Sequence, residues 1–305
     1  MAHLGTIGTK TQNSSASSVS ITLTAGAPVG STVLVGIVWE AGGAAGVPTI
    51  SAVTDSRSNS YSTTPDVTAG GALNSTVAGA ILRTRVTTEL EIGDTITVTI
   101  SGGTRSRWAM QADAFDDVDE SPLDKTATTG NTAPSGTSLS TGTTATTSQA
   151  HELVYAIFGF GSGRTPTVPS GWTGGDKVET SAGSTDRGLQ VIHKYVSAAG
   201  AQEGTLTLSS SSTYTAAVAT YTYTPADPPV ARVSQLKLTV PQAGEAPVAR
   251  VAQLKFTVPQ GVLGKVQVSQ LKLRVPTAAG QAPYTGLKAK VDGKLWNSEI
   301  WAAGD

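Results

Sequence analysis

The chain has 305 residues, of which 38% are hydrophobic and only 14% charged, with no cysteine and a formal net charge of −1. That length can bury a sizeable core unaided, and the missing cysteines exclude disulfides, thiol chemistry and cysteine-ligated zinc. A near-neutral balance gives no field to attract nucleic acid or an anionic membrane, both of which need clustered Lys and Arg.

The N-terminal segment MAHLGTIGTKTQNSS has no basic start followed by an apolar run, and no stretch reaches the roughly 18 apolar residues of a membrane helix. Synthesis in a cytoplasm without a signal peptide, and no membrane insertion, are the expectations. From there to residue 225, β-branched residues alternate with polar ones between clusters of Gly, Ser, Pro and Asp. Strands are predicted at 18–25, 32–39, 50–55, 76–86, 95–101, 106–117, 137–146, 152–160, 186–197, 204–209 and 214–224. With no helical periodicity between them, the fold class is all-β, most economically a jelly-roll-type β-sandwich over 1–225. The small, polar stretch 126–149 reads either as an exposed edge strand or as a linker between two smaller domains.

TPADPPV (224–230) marks a boundary, because its prolines stiffen the chain and cannot donate to a sheet ladder. Three repeats follow within 226–283: PVARVSQLKLTVPQAGEA (229–246), PVARVAQLKFTVPQGVLG (247–264) and KVQVSQLKLRVPTAAGQA (265–282). Leu236, Leu238 and Val240 share one strand face, as do Leu254, Phe256 and Val258, and Leu271, Leu273 and Val275. A unit this small cannot bury its own apolar face and must stack on copies or on a partner. A strand of about 11 residues spans roughly 36 Å, while the connections reach only about 20–25 Å, so the repeats form short antiparallel β units or add to neighbouring subunits. The tail 284–305 carries a terminal β-hairpin signal, LKAKV and KLW around Asp292-Gly293, with Trp296 in its second strand and Trp301 after it as docking residues.

Candidates for chemistry are few. Asp113, Asp116, Asp117, Asp119, Glu120 and Asp124 match no calcium-loop spacing and read as a solvated acidic turn where a strand leaves the sheet before SPLD (121–124). They are also the one feature that could supply the carboxylate pair of a glycan-degrading enzyme. His193 and His151 lie in strands without a nucleophile motif and read as structural or surface residues, and His3 lies in the N-terminal segment. GFGSGR (159–164) lacks the Lys-Ser/Thr of a phosphate loop and reads as a strand-end turn. Trp172, flanked by Gly and Ser in a loop, is the candidate glycan contact. No catalytic residue, metal site or cofactor is expected.

The stretches AVTDSRSNSYS (52–62), RWAMQADAFDDVDESPLD (107–124), ELVYAIFGFGSGRTPTVPSGWT (152–173) and YTAAVATYTY (214–223) resemble jelly-roll modules of actinobacterial surface proteins and tailed bacteriophages. Ser58 and Asp117 stand where those modules commonly carry Gly. RVSQLKLTVP (232–241), RVAQLKFTVP (250–259), QVSQLKLRVP (267–276) and KVDGKLW (290–296) resemble minor tail proteins of phages infecting actinobacteria. The resemblance implies a non-enzymatic virion structural protein at the tail tip, contributing to tail assembly and host-surface attachment. Other tail proteins, further copies of the chain, with a trimer favoured, and a host cell-surface glycan would be its partners. Leu236, Leu238, Leu254, Phe256, Leu271, Leu273, Trp296 and Trp301 would carry the subunit contacts. A carbohydrate-binding attachment module or a capsid decoration protein is the alternative.

Overall fold

A computed structural model of the chain describes residues 2–40, 49–70, 77–102, 104–129, 134–181 and 186–225, together with the backbone of two short strands at 288–291 and 294–297. The described residues are all-β, and every strand pairing is antiparallel. Residues Met1–Ala226 form one compact unit and Asp227–Asp305 a second.

The first unit begins with β1 (His3–Gln12), β2 (Ser18–Thr22), β3 (Thr32–Trp39), β4 (Ile50–Asp55), β5 (Val67–Gly70), β6 (Ala78–Arg85), β7 (Thr95–Ile100) and β8 (Trp108–Phe115). They make two sheets, ordered β1-β8-β3-β6-β5 and β2-β7-β4. It continues with β9 (Val118–Thr128), β10 (Ser135–Thr143), β11 (His151–Gly161), β12 (Pro166–Thr167), β13 (Thr173–Gly174), β14 (Val178–Glu179), β15 (Arg187–Ser197) and the 21-residue β16 (Glu203–Tyr223). The second half of β16 lies between β9 and β11, with β15 beyond and β13 and β14 on its far side. Its first half pairs instead with β10 and β12.

Residues 118–223 therefore repeat the plan of 3–115. β9, late β16, β11, β15 and β14 occupy the places of β1, β8, β3, β6 and β5, while β10, early β16 and β12 occupy those of β2, β7 and β4. Two sandwiches pack through their larger sheets, giving four layers and three cores. One core joins Val19, Ile21, Ile96 and Val98 to Val35, Ile37 and Trp108; the central one joins Leu34, Val38, Ile81 and Phe115 to Tyr155, Ile157, Leu189 and Tyr221; the third joins Val154, Ala156 and Phe158 to Leu139, Leu206 and Leu208.

Position in this stack accounts for the local sequence. Outer strands alternate, as in TITVTI of β7, whose Ile and Val point inward while the threonines are only half-buried. TVLVGIVW of β3 and WAMQADAF of β8 are buried at every position, because each has a core on both faces. The inner sheets come so close that a Cβ on Gly159 would lie 2.7 Å from Val38 Cγ1, and one on Gly36 2.9 Å from Ile157 Cγ2.

Several expectations change. The compact unit Met1–Ala226 holds two sandwiches where one was expected. β1 and β5 were not anticipated, and 204–209 with 214–224 form one continuous strand. The acidic stretch is not one solvated turn: SPLD lies within edge strand β9, whose register shifts near Pro122, and Asp113 is buried in β8. Pro is tolerated there because an edge strand and an irregular register need fewer N–H donors. Of the 126–149 stretch, Ser135–Thr143 is the edge strand β10. Ser58 and Asp117 have φ of 62° and 55°, in the left-handed region that favours glycine.

In the second unit, β17 (Lys288–Val291) and β18 (Lys294–Asn297) form an antiparallel hairpin with Val291 opposite Lys294 and Ala289 opposite Trp296. This is the pairing expected around Asp292-Gly293. The three repeats lie outside the described residues.

Candidate functional site

A cleft of about 320 Å³ opens along the seam between the sandwiches, between β1 on one side and the segment leading into β14 on the other. Thr6, Thr9 and Thr11 of β1, Gln111 of β8, and Asp176, Lys177, Val178 and Glu179 line it. Three threonines at spacings of three and two would not share a face of a regular strand. A register shift between Thr6 and Gly8 changes the parity, so Thr6, Thr9 and Thr11 stand opposite Asp113, Gln111 and Ala109, all on the seam side.

Beneath the cleft lies a buried polar cluster. Asp113, only 1% exposed, accepts hydrogen bonds from Thr6 Oγ1 at 2.7 Å, Tyr155 Oη at 2.8 Å and Gln111 Nε2 at 2.9 and 3.0 Å. Burial, reinforced by Asp113, holds the Tyr155 phenol well above its ordinary pKa, so it remains a donor. Gln111 keeps its Oε1 buried without a hydrogen-bond partner. A second tyrosine–aspartate pair crosses the seam, Tyr221 Oη donating to Asp66 at 2.9 Å beside Arg83. Burial raises the Asp66 pKa against the opposing pull of Arg83 and Tyr221.

From Asp113 the seam continues into an aromatic strip. His3 Nε2 lies 3.4 Å from Asp113, and ring centroids follow at 4.9 Å for His3–Phe115, 4.4 Å for His3–His193, 6.0 Å for His193–Tyr195, 6.0 Å for Tyr195–Tyr223 and 5.6 Å for Tyr223–His151. The strip runs from buried to open: His193 is 4% exposed, whereas Tyr195 is 38% exposed. Burial, with His3 alongside, lowers His193 to about 4 against the pull of Asp113, so it is neutral near pH 7.

At the start of β11 a different carboxyl is sealed away. Glu152 has no exposed surface, and neither of its side-chain oxygens has a hydrogen-bond partner. Burial, with the Asp124 carboxylate adding to it, raises Glu152 to about 7 despite Thr220 and Lys125. Although burial opposes it, Asp124 is held at about 2 by Lys125 Nζ at 2.6 Å and by Ser148, whose N–H and Oγ donate at 2.6 and 2.7 Å. A carboxyl pair with split pKa values is the pattern of acid–base catalysis, but Glu152 is closed to any substrate and acts on stability instead.

Trp172, the anticipated glycan contact, is half-buried against the third core, and Lys194 Nζ sits 4.6 Å from its ring centroid. Its ring is committed to packing and a cation–π contact. Leu236, Leu238, Leu254, Phe256, Leu271, Leu273 and Trp301 lie outside the described residues, and Trp296 is described only as a backbone position in β18. Sequence reading missed the cleft because a β-bulge and pairings more than 100 residues apart assemble it. The one local hint was the polar pair Gln111 and Asp113 inside the otherwise apolar WAMQADAF. Among the described residues no group of three His, Asp or Glu side chains is arranged to hold a metal ion. Comparisons with protein families, curated proteins and solved structures return no match to this chain.

Proposed function

We propose that the protein is a non-enzymatic structural protein of a phage virion, a minor tail protein that contributes to tail-tip assembly and host attachment. The carrying observation is the run of three repeats of about 18 residues, each with apolar residues at alternate positions, that follows residue 225 in the sequence. Such units need partners to bury Leu, Phe and Val, which is the chemistry of assembly. The nested pairing of β1 with β8, β2 with β7 and β3 with β6 favours the jelly-roll reading, and its recurrence in residues 118–223 makes the displayed part a double module. Homo-oligomerisation, with a trimer favoured, would let repeats of different chains cover one another.

Light scattering on the full chain and on a chain ending at Pro225 tests the assembly role. The full chain is expected to be oligomeric and the shortened one monomeric. Leu254→Asp should abolish assembly while the β unit stays folded; an unchanged oligomer would count against the reading. Mass spectrometry of purified particles, separated into tails and capsids, tests location. The second reading, a carbohydrate-binding attachment module, is favoured by the hydroxyl-lined cleft and its neighbouring aromatic strip.

A further inference from the structure

We propose that the seam between the two sandwiches is a binding groove for a neutral polymeric glycan, with the threonine-lined cleft holding sugar hydroxyls and Tyr195 and Tyr223 supporting the apolar face of a neighbouring sugar. The inference deepens the attachment part of the function proposed above and rests on it only for the origin of the glycan.

A sugar ring presents hydroxyls around its rim and C–H groups on its faces, so a site for it needs mixed donors and acceptors beside an aromatic surface. The seam offers both on contiguous elements. Thr9 and Thr11 make no side-chain hydrogen bond among the described residues, and their hydroxyls can each donate and accept. Asp176 and Glu179 add carboxylate acceptors on the opposite wall. Gln111, 2% exposed, brings an amide whose Oε1 still lacks a donor. An unpartnered buried acceptor is costly unless something supplies the missing hydrogen bond. A volume of about 320 Å³ is at the small end of ligand sites, about right for a short stretch of a longer chain.

Charge narrows the class. Lys177 is neutralised by an ion pair with Glu179 and donates to the Arg164 carbonyl at 3.0 Å. Two carboxylates against one ammonium leave the walls formally at −1, which disfavours phosphate, sulfate or uronate ligands. The aromatic strip lies beside the cleft, linked to it through Asp113. Thr6 and His3 share Asp113 as a partner, and His3 stacks on His193, next to Tyr195. Polymer rather than monosaccharide follows from this length: the hydroxyl-lined and aromatic parts lie on opposite sides of the His3–Asp113 contact.

Native affinity electrophoresis of the full chain at about pH 8, above its pI of 6.3, tests the proposal in gels containing soluble dextran, mannan or arabinogalactan, with dextran sulfate as the charged control. At least one neutral polymer is expected to retard the protein. The double variant Thr9→Val/Thr11→Val should weaken that retardation about tenfold, roughly 1.4 kcal/mol, and Tyr195→Ala should weaken it as well. Trp172→Ala should leave it unchanged. Unaltered urea midpoints for the Thr and Tyr variants keep the comparison free of unfolding. Retardation by none of the neutral polymers, by dextran sulfate alone, or equally for wild type and the threonine variant would overturn the groove. Assembly is read separately by mass, so a protein that oligomerises but binds no neutral polymer refutes this inference alone.

Discussion

Replacing Glu152 with Gln should make the protein progressively more stable relative to wild type as the pH rises from weak acid toward neutrality. Glu152 is fully buried with a folded pKa of about 7 against an ordinary 4.5. A carboxyl whose folded pKa is raised contributes stability that is fully present below the unfolded value and is lost as the pH climbs through the folded one. The difference of about 2.5 pKa units corresponds to about 3 kcal/mol lost between pH 4.5 and 7. His193 works in the opposite direction. Its folded pKa of about 4 lies below the ordinary 6.5, so the folded state resists protonation and gains about 3 kcal/mol as the pH rises from 4 to 6.5. In the wild type the two slopes nearly cancel. In Glu152→Gln the histidine slope is no longer opposed by Glu152, and every other titrating group is common to both proteins and drops out of the difference. Urea unfolding followed by circular dichroism at several pH values between about 4 and 8 measures it. The stability of the variant relative to wild type should increase by about 3 kcal/mol across that range. A difference that stays constant, or that falls as pH rises, would refute the argument that burial raises Glu152.

Gly159→Val should destabilise the first unit by about 1–3 kcal/mol, because even the Cβ would stand 2.7 Å from Val38 where the inner sheets meet; an unchanged urea midpoint would mean the seam is looser than described. Tyr155→Phe removes a donor from buried Asp113 and should cost about 1–3 kcal/mol, whereas the exposed Thr9→Val should cost almost nothing on the same assay. Ser58→Gly should raise the thermal midpoint slightly, by up to about 1 kcal/mol in stability, since φ of 62° strains a residue with a Cβ; an unchanged or lowered midpoint would count against strain at that turn.

How far each strand could be read from sequence depended on its place in the stack. β2, β3, β4, β6, β7 and β8 were anticipated close to their observed ranges because β-branched runs bounded by Gly, Ser or Asp are strong local signals. HLGTIGTKTQ of β1 escaped because a register shift and two glycines break its alternation, and much of its length borders the cleft rather than a core. β9 escaped because Pro122 and its acidic residues read as a turn, although an edge strand tolerates them. In β16 the polar run SSSS (209–212) falls at the break between two predicted strands, 204–209 and 214–224, yet it is the place where one strand passes from the outer sheet to the inner one. Beyond the polar pair in WAMQADAF, the cleft was not legible. Its parts come from residues 6–11, 111 and 176–179, and no local pattern states that such segments meet.

By itself the sequence determined that the described residues are all-β and which face of most of their strands is apolar. Period-two alternation and proline placement are local properties that survive without knowledge of neighbours. The tertiary structure alone decided that the β unit contains two copies of one plan, that strands such as TVLVGIVW have a core on each face, and that Thr6, Gln111, Asp113 and Tyr155 share one buried cluster. Those outcomes depend on pairing and layer order. Alternation says only that a face is buried, whereas what buries it is set by contacts between residues far apart in the chain.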